Sequence, residues 1–326
     1  MAEMISEAEL RACVDLETAA LEAIEDGFRR LAHGQVTIPP IMGLEIPEKN
    51  GAADVKAAYV DGWDQFVIKL STRFFDNPRH GLPSAGGMMA VFDSDTGQIR
   101  AVLLDNGYLT TVRTALAGAL AARYLAPRDV DTVAVLGAGS QARWQIRALR
   151  LVRGFRRVVC HARSQIRAQR FADEMATSLG TTVETADSVQ DAVADADVII
   201  TTTPATTPLL RAEWLCQGTH VTAMGADAGH KNELEPRVLA AADLLVCDVR
   251  SQCLARGELR HAVAAGLVEA DRDTVELGDI VVGNHPGREN DRQITVCDLT
   301  GVGVQDTAIA RFALKRLGHT WCRESN

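Results

Sequence analysis

Apolar positions recur along this chain with two periods, and the change between them marks its organisation. Over residues 7–33, Leu16, Ala20, Ile24, Phe28 and Leu31 fall at helical spacing, and Gly34 follows as a stop signal. A single amphipathic helix is predicted there. Short β-like runs follow at 59–60, 66–70, 88–92 and 99–104. The turn Asp93-Ser94-Asp95-Thr96-Gly97 suits a hairpin, so 35–108 reads as antiparallel β structure. An Ala-rich helix is expected over 111–126, ended by Pro127. From Asp131 onward strand and helix alternate. Strands are predicted at 132–136, 157–160, 182–185, 198–203, 220–224, 244–247 and lastly 294–297, with helices at 141–152 and 164–179. Repeated β-then-α order implies a parallel, doubly wound sheet. A final helix over 306–317 is expected to pack on the N-terminal lobe, which would then be discontinuous.

Composition narrows the class. At 326 residues a single core stops growing, so two lobes are expected. Lys plus Arg total 34 against 43 Asp plus Glu, a net charge of −9, which argues against a general nucleic-acid partner. No run of about eighteen apolar residues exists, so no membrane association is expected. The start Met-Ala-Glu-Met-Ile-Ser-Glu lacks a basic region before an apolar run, unlike a secretory signal. Seven cysteines (13, 160, 216, 247, 253, 297 and 322) are scattered and form no C-x-x-C. A disulfide framework or zinc ribbon is therefore not expected, and a reducing, cytoplasmic compartment is. The eight histidines show no metal-ligand spacing.

The strongest motif follows the strand at 132–136: Gly137-Ala138-Gly139-Ser140-Gln141-Ala142. Gly137 permits a tight turn, Gly139 admits a pyrophosphate, and Ala142 lets helix and strand pack closely. The phosphates would sit on exposed N–H groups at the helix start. The expected fold is therefore α/β: a Rossmann-type dinucleotide-binding domain over 121–304, with a second α+β lobe formed by 1–120 and 305–326. Where an acidic residue would hold the ribose of NAD, the sequence reads His161-Ala162-Arg163-Ser164. No Asp or Glu occurs from 132 to 172, while nine arginines do: 143, 147, 150, 153, 156, 157, 163, 167 and 170. Most suit a solvated helix face. Arg163 and Ser164 are placed to hold a 2′-phosphate, so NADP(H) is favoured over NAD(H).

Asp227 and Lys231 stand after the strand at 220–224, at the carboxyl end where doubly wound sheets bind ligands. A carboxylate there can move a proton while hydride moves to carbon; a turn cap is the alternative role. His230 suits the surface. Lys69 lies within the β-like run Val67-Ile68-Lys69-Leu70 and Lys56 sits in Asp54-Val55-Lys56-Ala57-Ala58-Tyr59; lysines on strands mostly face solvent. Arg113 begins the Ala-rich helix, opposing its dipole, so an anionic partner is expected.

Together these motifs resemble the ornithine cyclodeaminase/μ-crystallin family. The carriers are Val112-Arg113-Thr114-Ala115, the glycine turn, Met224-Gly225-Ala226-Asp227 with Lys231-Asn232-Glu233-Leu234, and Gly301-Val302-Gly303 with Gln305-Asp306. The resemblance implies a Rossmann domain, a β-rich lobe that binds substrate and forms a homodimer, and a substrate pocket between the lobes. It implies a catalytic Asp227, and Lys69 holding the substrate carboxylate. Arg113 would lie near nicotinamide and substrate, with Lys231 beside the site. Ser84, Thr114, Thr202 and Met224 would line the cofactor, and Arg163 matches the NADPH-using branch. Ornithine-specific members carry an early arginine after a proline; here Ile38-Pro39-Pro40-Ile41-Met42-Gly43 has none. The acid expected before Lys69 for ornithine's amine is also absent, and Lys56 stands in that neighbourhood. The sequence is more similar to the ectoine-utilisation cyclodeaminase-like and iminosuccinate reductase branch, whose reductases use NADH. The first expectation is an NAD(P)H-dependent reductase of a small imino acid. A diamino-acid cyclodeaminase and a cofactor-dependent binding protein of μ-crystallin type are the rivals.

Overall fold

The computed structural model describes residues 2–319, apart from the side chain of Arg272. Cys322 and the rest of 320–326, the end of the expected second lobe, lie outside the described residues. The chain divides into two compact units at Arg113/Thr114 and Gly301/Val302. Both divisions fall N-terminal to the expected boundaries at 120/121 and 304/305.

The first unit opens with β1 (Glu3–Ser6), α1 (Glu7–Cys13) and α2 (Thr18–Ala32). The single helix expected over 7–33 is therefore two. Ser6 and Glu9 form a capping box that starts α1. The helix stops because Val14 turns extended and Asp15 Oδ1 accepts the Leu16 N–H at 2.7 Å, a local bond that competes with helix. Then come β2 (Val36–Thr37), β3 (Met42–Ile46), β4 (Gly51–Val60), β5 (Gln65–Phe74), β6 (Ala85–Asp93) and β7 (Ile99–Leu104). The sheet order is β1-β7-β6-β5-β4-β2, with β3 also on β4. All these neighbours are antiparallel except β1, which lies parallel to β7 and extends the expected region. The predicted hairpin joins β6 to β7. Asp93 Oδ1 accepts the N–H groups of Asp95 and Thr96, and Gly97 takes φ +69°. Along β5 the buried Gln65, Val67 and Lys69 alternate with the exposed Ile68 and Leu70, so the strand has one inner and one outer face.

Helix α3 (Tyr108–Leu125) carries the first division. The second unit alternates strand and helix over most of its length. Its strands are β8 (Thr132–Leu136), β9 (Arg157–His161), β10 (Thr182–Thr185), β11 (Val198–Thr201), β12 (His220–Ala223), β13 (Leu244–Cys247), β14 (Thr274–Glu276) and β15 (Thr295–Asp298). Its helices are α4 (Ser140–Leu149), α5 (Gln165–Leu179), α6 (Val189–Val193), α7 (Pro236–Ala240), α8 (Arg250–Arg256), α9 (Leu259–Ala264), α10 (Ala270–Asp273) and α11 (Leu277–Val281). Three helices lie between β13 and β14, and among the described residues no α-helix lies between β11 and β12. The strand order is β10-β9-β8-β11-β12-β15-β13-β14, all parallel. The last strand in sequence is thus internal in the sheet. Separate apolar clusters pack on it, one around Val133, Ile146 and Phe171, the other around Val221, Leu234 and Leu259.

Helix α12 (Gly303–Arg316) belongs to the first unit and packs on α2, β4 and β5. Gly303 lets its first turn approach β4, since a Cβ there would collide with the Ala57 carbonyl. Thr307 Oγ1 donates to the Ala58 carbonyl at 3.0 Å. Among the described residues no helix is long and apolar enough to cross a membrane.

Candidate functional site

In the second unit, β8 runs straight into the glycine turn. Gly137 has φ +118°, and a Cβ there would lie 2.6 Å from Thr202 Oγ1, so only glycine fits without strain. A Cβ on Gly139 would meet nothing within 4 Å. The turn is therefore tight on one side and open on the other. Gly139 caps α4 without any side-chain hydrogen bond, which leaves the first N–H groups for a ligand. Ala142 is fully buried, as close helix–strand packing requires. Arg143 Nη1 braces the turn by donating to the carbonyls of Ala138 (2.7 Å) and Gly139 (3.1 Å). Thr202 follows β11, and its N–H donates to the Leu136 carbonyl at 3.0 Å, so it stands beside the turn. Thr114 accepts Gln145 Nε2 of α4 at 3.0 Å through its carbonyl. These residues fit a dinucleotide pyrophosphate.

At the end of β9, Arg163 is exposed and makes no ion pair among the described residues, while Ser164 caps α5 by accepting the Arg167 N–H at 3.5 Å. Several other arginines of the basic stretch have internal partners. Arg143, Arg156 and Arg157 pair with Glu174, Asp131 and Glu184. Arg153 donates to the carbonyls of Arg123, Ala126 and Pro127.

After β12 the chain turns through Met224, Gly225 and Ala226 to Asp227. Met224 is buried. Lys231 Nζ donates to Asp227 Oδ1 at 2.5 Å and to the Gly225 carbonyl at 3.2 Å. The Asp227 side chain keeps 25 % exposure, so this carboxylate is held yet reachable. His230 is exposed, as expected.

Acids that the sequence did not single out surround this loop. Glu233 is fully buried and takes hydrogen bonds from Thr201, Thr203 and Gly225. Glu258 accepts the N–H groups of Glu233 and Leu234 and the Asn232 side chain. Burial, then neighbouring Asp298, pushes the Glu258 carboxyl up to about 8; burial raises Asp298 to about 7. Their only sequence signal was an acid beside a strand end or in a motif.

In the first unit, Lys56 and Lys69 are directly paired in the β4–β5 register, and both are buried. The expectation that strand lysines face solvent fails here, because Asp306 on α12 supplies an internal counter-charge. Lys69 Nζ donates to Asp306 Oδ1 at 2.9 Å, and Arg113 Nε donates to the same oxygen at 2.9 Å. Arg113 Nη1 also donates to Gln305 Oε1 at 2.9 Å. Arg113 thus lies beyond the first turn of α3 rather than at its start, and has an anionic partner within the chain. Burial, then Arg113, lowers the Lys69 ammonium to about 7 against the opposing pull of Asp306. Burial raises the Asp306 carboxyl, but Arg113 and Lys69 outweigh it and the net shift is downward. Ser84 stands apart: it precedes β6, whose Ala85 pairs with Arg73, whereas Lys69 pairs with Met89. It lies roughly 16 Å along the strand from Met89.

The doubly wound sheet and the glycine turn at the carboxyl end of β8 define an α/β protein of the Rossmann dinucleotide-binding class. Residues 2–320 match the model of the ornithine cyclodeaminase/mu-crystallin family, and the chain belongs to that family. It is 47 % identical over 314 residues to an uncharacterized cyclodeaminase of Sinorhizobium fredii, covering 96 % of this chain and 95 % of that one. It is 34 % identical over 305 residues to the iminosuccinate reductase of Paracoccus denitrificans, covering 92 % of each. The structure of Thermococcus litoralis Delta(1)-pyrroline-2-carboxylate reductase in complex with NADH and L-proline superposes with a TM-score of 0.92. It is 27 % identical, covering 97 % of this chain and 98 % of that one.

Proposed function

We propose that this enzyme is an NAD(P)H-dependent reductase of a small imino acid, with a dicarboxylate such as iminosuccinate as the favoured substrate class. The observation that carries the reading is the buried cation group of Lys56, Lys69 and Arg113. Two lysines directly opposite on a sheet repel each other, and burial sharpens the repulsion. Asp306 supplies one carboxylate to this group, and a substrate with two carboxylates adds further negative charge beside it. A diamine substrate would add to the repulsion. The likeness to an iminosuccinate reductase supports the same class.

Gly137, Ala138, Gly139, Ser140 and Gln141 would hold the pyrophosphate at the start of α4, with Thr114, Thr202 and Met224 along the rest of the dinucleotide. When bound, the reduced nicotinamide supplies a hydride to the imine carbon. Lys69, Lys56 and Arg113 fix the substrate carboxylates, which positions that carbon. Asp227 relays a proton from solvent water to the imine nitrogen, and Lys231 keeps its carboxylate oriented. Arg163, exposed and without an ion pair among the described residues, would take a 2′-phosphate, so NADPH is favoured over NADH. The outer face of the first unit's sheet presents Leu44, Tyr59, Ile68, Leu70, Met88 and Leu104 to solvent, and a second copy of the chain would cover it.

A second reading is a cyclodeaminase, favoured by the relative of that description. The same Asp227 would manage protons while the hydride returns to the product, leaving no net cofactor consumption. One assay separates them. Purified protein is mixed with NADPH or NADH, a 2-oxo acid (oxaloacetate, pyruvate or glyoxylate) and ammonia or methylamine. Loss of the reduced-nicotinamide absorbance that needs both oxo acid and amine is expected, fastest with oxaloacetate. No loss with any pair, together with ammonia release from a diamino acid, would replace the reductase by the cyclodeaminase.

A further inference from the structure

Glu233 belongs to the motif Lys231-Asn232-Glu233-Leu234, and among the described residues its carboxylate has no hydrogen bond to a side chain assigned above to substrate or cofactor. Its side chain lies beneath the carboxyl ends of β11 and β12. Oε1 accepts the Thr203 N–H at 2.5 Å and the Thr203 hydroxyl at 2.7 Å. Oε2 accepts the Thr201 hydroxyl at 2.6 Å and the Gly225 N–H at 2.9 Å. Thr201 and Thr203 flank Thr202, and Gly225 lies between Met224 and Asp227. One carboxylate therefore ties the loop that carries Thr202 to the loop that carries Asp227. Gly225 is needed for this, because a Cβ there would collide with Glu233 Oε2 and the Thr203 carbonyl.

The backbone of Glu233 is itself fixed. Its N–H donates to Glu258 Oε1 at 2.7 Å, and its carbonyl accepts the N–H groups of Leu209 (2.8 Å) and Leu210 (3.1 Å). The clamp is thus held at both ends. We infer that Glu233 is a positioning residue of the reaction: its two oxygens lock the post-β11 and post-β12 loops together and so set the place of Asp227. The two backbone N–H donors go to different oxygens, and a backbone N–H cannot reverse its role. A glutamine has only one acceptor oxygen, so it must leave one of these amides facing an NH2 group. A carboxylate is required for geometry, although burial raises its protonation tendency.

The inference rests on the role given to Asp227, and the test separates the two. Glu233→Gln, Asp227→Ala and the double variant are compared in turnover of the imine assay, in KM for the imino acid and in NADH affinity by fluorescence. Amide hydrogen exchange is read over 201–205 and 224–227. Glu233→Gln is expected to lower turnover about 30-fold, with KM for the imino acid within about 3-fold, and to weaken NADH binding by less than the loss of turnover, because Thr202 and Met224 ride on the same loops. Exchange over both segments should quicken about 10-fold or more while α4 is unchanged. In the double variant, turnover should match Asp227→Ala alone, because the clamp acts through that residue. Unaltered exchange at both segments overturns the clamp. A further loss in the double variant equal to that of Glu233→Gln alone overturns its action through Asp227. If Asp227→Ala keeps wild-type turnover while exchange quickens in Glu233→Gln, the assignment of Asp227 fails and the clamp stands. Should the glutamine variant not fold, Glu233→Asp, which keeps both acceptors one methylene short, is read by the same measures.

Discussion

Lys69 and Asp306 form a buried ion pair across 237 positions of sequence, with Nζ 2.9 Å from Oδ1. Both side chains are almost completely shielded. Arg113 shares the same oxygen, so one carboxylate compensates two cations. Removing it leaves both charges buried without that partner, which costs far more than the pair itself contributes. Asp306→Asn is expected to lower unfolding free energy by about 3–5 kcal/mol. Urea unfolding of the variant beside wild type measures this. A loss below about 1 kcal/mol, the size of a surface pair, would mean that Asp306 is not the anchor of the cluster.

If Lys69 holds the substrate carboxylate as proposed, the same burial makes anion binding depend on pH. Lys69 is lowered from its ordinary 10.5 to about 7, so it is charged below that value and neutral above it. A dicarboxylate that needs the ammonium binds well on the acid side and weakens as pH rises. Succinate, tested as a competitive inhibitor, should lose up to about tenfold in affinity per pH unit above the midpoint. Lys69→Met should bind it poorly at every pH, with a flat profile. A wild-type profile that is flat between pH 6 and 9 would remove Lys69 from the binding role.

Cofactor choice is a separate test in the second unit. Arg163→Ala removes an exposed guanidinium next to the Ser164 cap of α5 without opening any ion pair recorded among the described residues. If that guanidinium holds a 2′-phosphate, kcat/KM for NADPH should fall about tenfold, the size of a lost charge-assisted bond, while that for NADH holds. Equal losses for both cofactors would mean that the arginine supports the fold alone.

The outer face of the first unit's sheet predicts assembly. Ile68 and Leu70 lie on β5 in register with Ala90 and Met88 of β6, and Phe66 stacks on Phe92 with centroids 5.0 Å apart. A contiguous apolar face of this kind calls for a cover. Ile68→Asp with Leu70→Asp should turn a dimer into a monomer in sedimentation equilibrium. A monomeric wild type would exclude the second copy as the cover.

What could be read from the sequence was what is local. The strand Thr132–Leu136, the glycine turn and the alternation after it depend on neighbours a few residues apart, and the structure reproduces them. The break at 14–17 was hidden because Leu16, which lies in it, keeps helical spacing with Ala20, and only the Asp15 side chain reveals the stop. The burial of Lys69 was hidden for the opposite reason: its partner comes from α12, at the far end of the chain. Strand propensity places Lys69 on a sheet but does not tell which face it occupies. Glu233 stood in a recognised motif without a role of its own and Glu258 was silent, since clamps made of backbone N–H and hydroxyl groups leave no spacing to read.

His220 carries the last prediction, because burial shifts it in the direction opposite to the buried acids Glu258 and Asp298. It is buried on β12, with Nδ1 2.9 Å from Thr295 Oγ1 and Nε2 3.0 Å from Thr222 Oγ1. Burial, helped by Arg288, lowers it from 6.5 to about 3. Between those values the unfolded chain binds a proton that the folded chain refuses, so stability falls as pH drops through this window. Above 6.5 both states are neutral and His220 contributes nothing. Glu258 and Asp298, raised to about 8 and about 7, act in the other direction: the folded chain holds their protons, and acidification from pH 8 favours it. Wild-type stability therefore mixes the two, and the His220 part is isolated by difference. His220→Gln keeps polar atoms toward the threonines but cannot titrate. From pH 7 to 4.5, wild type should lose about 2–3 kcal/mol more than the variant, roughly two pH units of one unmatched proton. Parallel urea curves at the two pH values give that difference directly, and no difference would mean that His220 accepts its proton inside the folded sheet.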